Sequence, residues 1–86
     1  MKTEEQPMEI DEEVRMIVAG ELGLDPALVT PETAAGECRE WDSVRMVAII
    51  SAVQSRFGVQ FPEEDLFDLV SVGALADEVR KVAAAR

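Results

Sequence analysis

Apolar residues recur at helical spacing near the start of the chain. The first stripe holds Ile10, Val14, Ile17, Val18 and Leu22, which would share one face of an α-helix. Acidic residues crowd its first turn, where the helix dipole favours negative charge. Gly23 then suits the left-handed position that ends many helices. The pattern predicts a helix over residues 9–22.

A second helix is predicted over residues 43–57. Asp42 is a good N-cap, and Gly58 is placed to end the helix. Its apolar positions are Val47, Ile49, Ile50, Val53 and Phe57. They cover more than one stripe, so we expect this helix to be the most buried element.

Two further helices are predicted in the C-terminal third. Pro62 can open a short helix over residues 63–70, and Ser71 can cap a last helix over residues 72–84. The fold class is therefore all-α, a small four-helix bundle of three main helices and one short helix. We expect one domain over residues 9–84, preceded by a flexible N-terminus at residues 1–8.

The segment between the first two helices, residues 23–42, has no sustained period. Asp25-Pro26 and Thr30-Pro31 disfavour a continuous helix there. Because Leu24, Leu28 and Val29 are apolar, we expect this long loop to pack on the core with a short helical turn. Long loops that stay ordered are often functional.

Composition excludes several classes of function. Eight basic residues against eighteen acidic ones give a net charge of −10, which disfavours nonspecific binding to nucleic acid or anionic membrane. Without histidine and with one cysteine, the chain lacks the residues for a Ser-His-Asp triad, an internal disulfide or the usual zinc sites. We therefore expect a chain without a metal site that is not an enzyme. The first ten residues have no apolar signal region, and the longest apolar run, Met46–Ile50, is far too short to span a bilayer. We accordingly expect a cytoplasmic protein, and we also expect a monomer.

The negative charge is unevenly distributed. Residues 1–42 carry a net charge of −9, and residues 43–86 carry only −1. Within the second part, the predicted third helix holds four acids, whereas the predicted second helix holds two arginines and no acid. The second helix therefore offers little electrostatic attraction to basic partners, and the third helix offers more.

The Asp42-Ser43 pair is the candidate site. A serine in the first turn of a helix, directly after a long loop, would expose its hydroxyl on a rigid backbone. Free N–H groups and the positive end of the helix dipole favour a phosphate ester there. No neighbouring base activates the hydroxyl, so Ser43 would accept a group from another enzyme rather than act as a nucleophile unaided. An isolated Asp-Ser pair is also common in ordinary helix capping.

The wider pattern resembles the acyl carrier protein family, which includes peptidyl and aminoacyl carriers. The resemblance runs through WDSV at residues 41–44, V-x-I-I-x-x-V at 47–53, RFGVQFPEEDL at 56–66 and VSVGALADEV at 70–79. Each motif is weak alone, but their spacing fits the family without gaps. The first helix and the long loop fit more loosely.

The resemblance implies that Ser43 carries 4′-phosphopantetheine, transferred from coenzyme A by a phosphopantetheinyl transferase. The thiol of this arm would hold acyl or aminoacyl groups as thioesters, loaded by a ligase or acyltransferase and passed to downstream biosynthetic enzymes. By resemblance, Asp42 would also help to dock the transferase and its metal. The chain itself would catalyse nothing.

Departures from the family pattern suggest a specialised carrier. Val44 replaces the usual leucine after the serine, and the second helix lacks the acids of many fatty-acid carriers. A stand-alone carrier for polyketide, nonribosomal peptide or related biosynthesis is therefore favoured. The residues expected to contact partner enzymes are Val44, Arg45, Glu63, Glu64, Phe67 and Asp68.

Several alternatives stay open at this point. Phe67 is either a core residue or an exposed docking contact. Trp41 is favoured as a packing anchor for the loop over a direct contact with cargo or a partner. Met46 is either core or the wall of a cargo cleft. Cys38 is favoured as an inert loop cysteine over a reactive thiol. The alternative function is a carrier-like helical module that binds partners while Ser43 stays unmodified.

Overall fold

A computed structural model describes residues 9–85. It contains three α-helices, α1 (Ile10–Leu22), α2 (Ser43–Phe57) and α3 (Val72–Ala84). Three short 3₁₀ helices lie between them at Pro26–Leu28, Ala35–Glu37 and Glu63–Asp68. Within these residues there is no β-strand, only an isolated antiparallel bridge. The predicted all-α class is confirmed, while the predicted flexible segment 1–8 lies outside the described residues.

Local capping chemistry sets the ends of the main helices. The predicted bounds of α2 and α3 are confirmed, and α1 begins one residue later than predicted because Glu9 is its extended N-cap. Gly23 and Gly58 end α1 and α2 with φ of 71° and 65°, a conformation that glycine adopts without steric cost. Ser71 Oγ accepts a hydrogen bond from the Ala74 N–H at 3.1 Å and so caps α3.

The core is built from aliphatic side chains of all three α-helices. α1 packs against both α2 and α3. The largest side chains with essentially no exposure are Ile49, Leu75, Val14, Val18, Val53, Val72 and Val79. Burying each such side chain stabilises the fold by about 1.5–3 kcal/mol relative to leaving it exposed.

The prediction that α2 is the most buried element is wrong. Only Ile49 and Val53 of α2 are buried, whereas α1 and α3 each bury five residues. Val44 and Val47 are 76% and 66% exposed. The reason is that α2 packs against α1 and leaves its opposite face without a long helix to cover it. An apolar surface therefore begins next to Ser43.

The long loop is ordered by backbone hydrogen bonds to the start of α3. The Ala35 N–H donates to the Val70 carbonyl at 2.8 Å, and the Gly73 N–H donates to the Pro31 carbonyl at 2.9 Å. The prediction that this loop packs on the core holds for the buried Val29 and the half-buried Leu24 but is wrong for Leu28, which is 69% exposed. The 3₁₀ turn Pro26–Leu28 buries Val29 and directs its neighbour outward.

The short third helix is a 3₁₀ helix, Glu63–Asp68, two residues shorter than predicted. It ends because Leu69 leaves helical geometry, with φ −90° and ψ 60°, and enters the core at 2% exposure. Lys81 Nζ of α3 lies 2.9 Å from Asp65 Oδ2 and ties the 3₁₀ helix to α3. Each helix within residues 9–85 is too short or too polar to cross a lipid bilayer.

Candidate functional site

Ser43 is the first residue of α2, and it is exposed. The residue before it fixes the start of the helix: Asp42 Oδ1 accepts a hydrogen bond from the Arg45 N–H at 2.9 Å, and the Asp42 carbonyl accepts one from the Met46 N–H at 2.8 Å. Asp42 is therefore the N-cap that the sequence predicts. The Ser43 hydroxyl lies on a fixed backbone and is open to a partner enzyme.

The charges around Ser43 suit an added anion. Arg45 Nη1 lies 3.3 Å from Asp42 Oδ2, and both side chains are about half exposed. The N–H groups of the first turn and the helix dipole add partial positive charge at the same place. A phosphate ester on Ser43 would thus lie at a helix N-terminus, beside a carboxylate whose charge Arg45 partly offsets.

An open groove of about 610 Å³ lies beside Ser43. It is formed where the end of the long loop, the start of α2 and the 3₁₀ helix Glu63–Asp68 meet. Its lining residues are Ala35, Trp41, Asp42, Ser43, Met46, Leu66, Phe67 and Val70. Sequence reasoning did not place Ala35, Leu66 or Val70 here, because no local pattern shows which elements come together.

Trp41 and Met46 form one wall of this groove. Trp41 is 4% exposed, so the prediction that it is a packing anchor is confirmed. Its indole Nε1 donates a hydrogen bond to Met46 Sδ at 3.4 Å. Met46 is half-buried and packs against the core, as one of its two predicted alternatives has it, and it also lines the groove.

Phe67 is an exposed side chain and not part of the core. It is 87% exposed and lies on the groove rim, where Val70 is 45% exposed. Three of the four acids on the same 3₁₀ helix are also exposed: Glu63, Glu64 and Asp68. The candidate partner face therefore combines apolar side chains with an acidic rim on one short helix.

The fourth acid, Asp65, turns toward α3 and belongs to a cluster that sequence reasoning missed. Its hydrogen bond with Lys81, and the neighbouring Glu78 carboxyl, hold the pKa of Asp65 below its usual value. Burial of Glu78, and the neighbouring Asp65 carboxyl, raise the pKa of Glu78. The sequence signal was available, because Glu78 stands three residues after the core residue Leu75.

Cys38 lies outside the groove beside Ser43. Cys38 is half-buried, and its Sγ lies 3.5 Å from Glu40 Oε1. It lines a separate and smaller groove of about 270 Å³ on the long loop. Among residues 9–85, no group of three or more acidic or cysteine side chains is arranged to hold a metal ion.

Known sequences match this chain over most of its length. The family described as "phosphopantetheine attachment site" matches residues 12–79. An acyl carrier protein of Thermosynechococcus vestitus is 38% identical over 77 residues, which cover 90% of this chain and 95% of that protein. An acyl carrier protein of Helicobacter pylori is 35% identical over 77% of this chain and 85% of its own length. One of Rubrobacter xylanophilus is 34% identical over 83% of this chain and 88% of its own length.

A solved structure matches the fold as well. The solution structure of the holo acyl carrier protein from Geobacter metallireducens superposes with a TM-score of 0.77 at 28% sequence identity. The match covers 91% of this chain and 90% of that one. The similarity therefore extends over most of the chain.

Proposed function

The chain belongs to the acyl carrier protein family, with a covalently attached 4′-phosphopantetheine as its cofactor, and we propose that Ser43 is the residue that holds this arm. The observation that carries the proposal is the position of Ser43, an exposed hydroxyl at the N-terminus of α2 on the rim of the groove. Ser43 also lies inside the matched residues 12–79.

The residues around Ser43 fit the group. An alcohol is needed for the phosphodiester, and Ser43 supplies it with free helix N–H groups nearby. The arm beyond the phosphate is a flexible chain with two amides, and the groove of about 610 Å³ falls within the size range of small-molecule sites. Both chemical parts of the arm therefore have a matching surface.

Attachment requires an enzyme other than this chain. The chain has no histidine, and the carboxylate next to Ser43 is occupied by the Arg45 N–H and guanidinium. We assign activation of the Ser43 hydroxyl to a phosphopantetheinyl transferase, with coenzyme A as the donor. Asp42 would help to dock that transferase, in addition to its capping role.

The partner face would be formed by Val44, Arg45, Glu63, Glu64, Phe67 and Asp68. Val44 and Phe67 offer exposed apolar contacts close to Ser43, and desolvated apolar anchors dominate many interfaces. The three acids would meet basic residues of a loading ligase, an acyltransferase or a downstream enzyme. Arg45 calls for an acidic residue on the partner, which distinguishes this face from that of a carrier whose α2 is acidic.

The cargo would be acyl or aminoacyl groups of a specialised pathway, such as polyketide or nonribosomal peptide biosynthesis. The support is the absence of acids along α2 in the sequence, together with Trp41 before the Asp-Ser pair. The relatives above are named only as acyl carrier proteins, so the pathway rests on this chain's own residues.

Intact mass spectrometry tests the attachment. The protein is incubated with coenzyme A and a transferase of broad specificity, beside Ser43→Ala and a matched variant, Ser55→Ala, which alters another exposed serine of α2. We expect wild type and Ser55→Ala to gain one 4′-phosphopantetheinyl group and Ser43→Ala to gain none. A gain that survives Ser43→Ala would refute the assignment, and a wild type that gains nothing would favour the unmodified interaction module.

A further inference from the structure

The indole N–H of Trp41 is a buried donor with a poor acceptor. Trp41 is 4% exposed, and within residues 9–85 the hydrogen-bond partner of its Nε1 is Met46 Sδ, at 3.4 Å. A thioether sulfur accepts hydrogen bonds weakly, whereas a buried indole N–H normally finds a full partner. The donor is thus only partly satisfied in the unmodified protein.

Trp41 and its acceptor residue Met46 both line the groove that Ser43 also lines. Three other lining residues, Leu66, Phe67 and Val70, have no polar side-chain atoms. The Trp41 N–H is therefore a polar donor beside a largely apolar surface. Groups of this kind fix the orientation of a ligand in an apolar site.

Met46 can release the donor at low cost. Its side chain is unbranched, with three rotatable bonds, and adapts readily to new neighbours. It is half-buried at the groove and not locked in the centre of the core. A better acceptor that enters the groove can therefore take the indole N–H from the sulfur.

We propose that Trp41 is a positioning residue for the phosphopantetheine arm, whose oxygen acceptor replaces Met46 Sδ as the partner of the indole N–H. The apolar wall of Leu66, Phe67 and Val70 covers the carbon atoms of the arm at the same time. This role rests on the proposed attachment at Ser43. It goes beyond attachment by giving the groove a donor that holds the arm against the protein.

The single tryptophan of the chain makes the test direct, because one indole N–H resonance reports on one side chain. We compare unmodified and modified protein by NMR, with a ¹³C-labelled arm added from labelled coenzyme A and its attachment checked by intact mass. We expect the indole proton to move downfield, to exchange more slowly with water and to show cross-peaks to the arm. Cross-peaks to the carbons next to the phosphate, or to those next to an amide, identify which oxygen accepts.

Two variants complete the test. Met46→Leu conserves volume but removes the sulfur, so its indole proton should exchange faster before modification and regain protection once the arm is attached. Ser43→Ala, treated identically, should show no change in its indole resonance. An attached arm that leaves the indole proton unshifted and without cross-peaks, in wild type or in Met46→Leu, overturns the role of Trp41 and leaves attachment at Ser43 intact. A wild type that gains no mass overturns the attachment and this role together.

Discussion

Glu78 offers a sharp test of how the groove wall is held in place. It is 7% exposed on α3, and its Oε2 has no hydrogen-bond partner among the described residues. Lys81 Nζ lies 3.6 Å from Glu78 Oε1 and 2.9 Å from Asp65 Oδ2. Since Asp65 precedes the groove residue Leu66, this cluster joins α3 to the groove wall. The informative change is Glu78→Gln.

The sign of the pH dependence follows from the two carboxyl groups. Because burial and the neighbouring Asp65 carboxyl raise the pKa of Glu78, its contribution to stability is complete below the ordinary glutamate pKa of about 4.3. That contribution is lost as the pH rises through the raised pKa. The pKa of Asp65 is lowered, so its contribution is present above about 3.9 and is lost as the pH falls through the lowered value. The cluster is most stable between the two pKa values.

The magnitude follows from the unpartnered Oε2 of Glu78. An unsatisfied buried polar group costs about 1–3 kcal/mol, and Lys81 offsets part of that cost once Glu78 is ionised. A glutamine amide stays neutral and can donate to the Asp65 carboxylate. Above the raised pKa of Glu78 we therefore expect Glu78→Gln to be more stable than wild type by about 1 kcal/mol, or about 4–8 °C in Tm.

The assay is urea and thermal unfolding, followed by circular dichroism at a series of pH values from acid to neutral. Glu21→Gln is the matched control, because it removes an exposed acid from α1. Wild type and Glu21→Gln should lose stability in parallel as Glu78 ionises, with a slope of at most about 1.4 kcal/mol per pH unit. Glu78→Gln should lack this decrease. An unchanged slope in Glu78→Gln, or lower stability at every pH, would refute the reasoning.

Three further predictions concern the core, the cap and the rim. Ile49 has no exposure, so Ile49→Ala should lower the free energy of unfolding by about 2–5 kcal/mol, out of a total free energy of unfolding of about 4–13 kcal/mol. Ile49→Val should lower it by only about 0.5–1.5 kcal/mol. Equal urea midpoints for the two variants would contradict this. Asp42→Ala should lose about 0.5–2 kcal/mol of stability, and Asp42→Ser almost none, because serine is also a good N-cap. Both variants should slow transfer of the arm by the phosphopantetheinyl transferase. A normal transfer rate in Asp42→Ser would exclude the docking role. Phe67→Ser should change the free energy of unfolding by less than about 0.5 kcal/mol, since the side chain is exposed. It should raise the KM of a partner enzyme for this carrier. An unchanged KM would remove Phe67 from the partner face.

The bounds of α2 and α3 could be predicted because their signals are local. Asp42, Gly58 and Ser71 form caps with residues a few positions away, and such chemistry is legible in a single sequence. The short helix was less predictable, since its end depends on Leu69 entering the core. That is a tertiary contact which overrides local preference.

The exposure of α2 could not be predicted for a related reason. Helical spacing shows which residues share a face, but not whether another element covers that face. Val47 therefore looked like a core residue and is exposed. Glu78 shows the converse, an acid at a buried position of α3. One of the groups that shift its pKa, Asp65, is distant from it in sequence.

The candidate site, like the fold, could be predicted from the sequence only in part. The place of Ser43 at a helix N-terminus followed from Asp42 and the start of the apolar pattern. The groove did not follow, because it joins the loop at Trp41 to Leu66 and Val70, which are distant in sequence. The bond between Trp41 and Met46 likewise depends on side-chain placement that periodicity does not specify.

The attachment of the arm to Ser43 is tested most directly by peptide mapping of protein purified from its native host. Trypsin cleaves after Arg39 and Arg45, and the resulting peptide, residues 40–45, has Ser43 as its only hydroxyl side chain. We predict that this peptide carries the 4′-phosphopantetheinyl group, with the acyl cargo on it when the thioester survives. An arm found on any other peptide, or modified protein in which residues 40–45 keep their unmodified mass, would contradict the account.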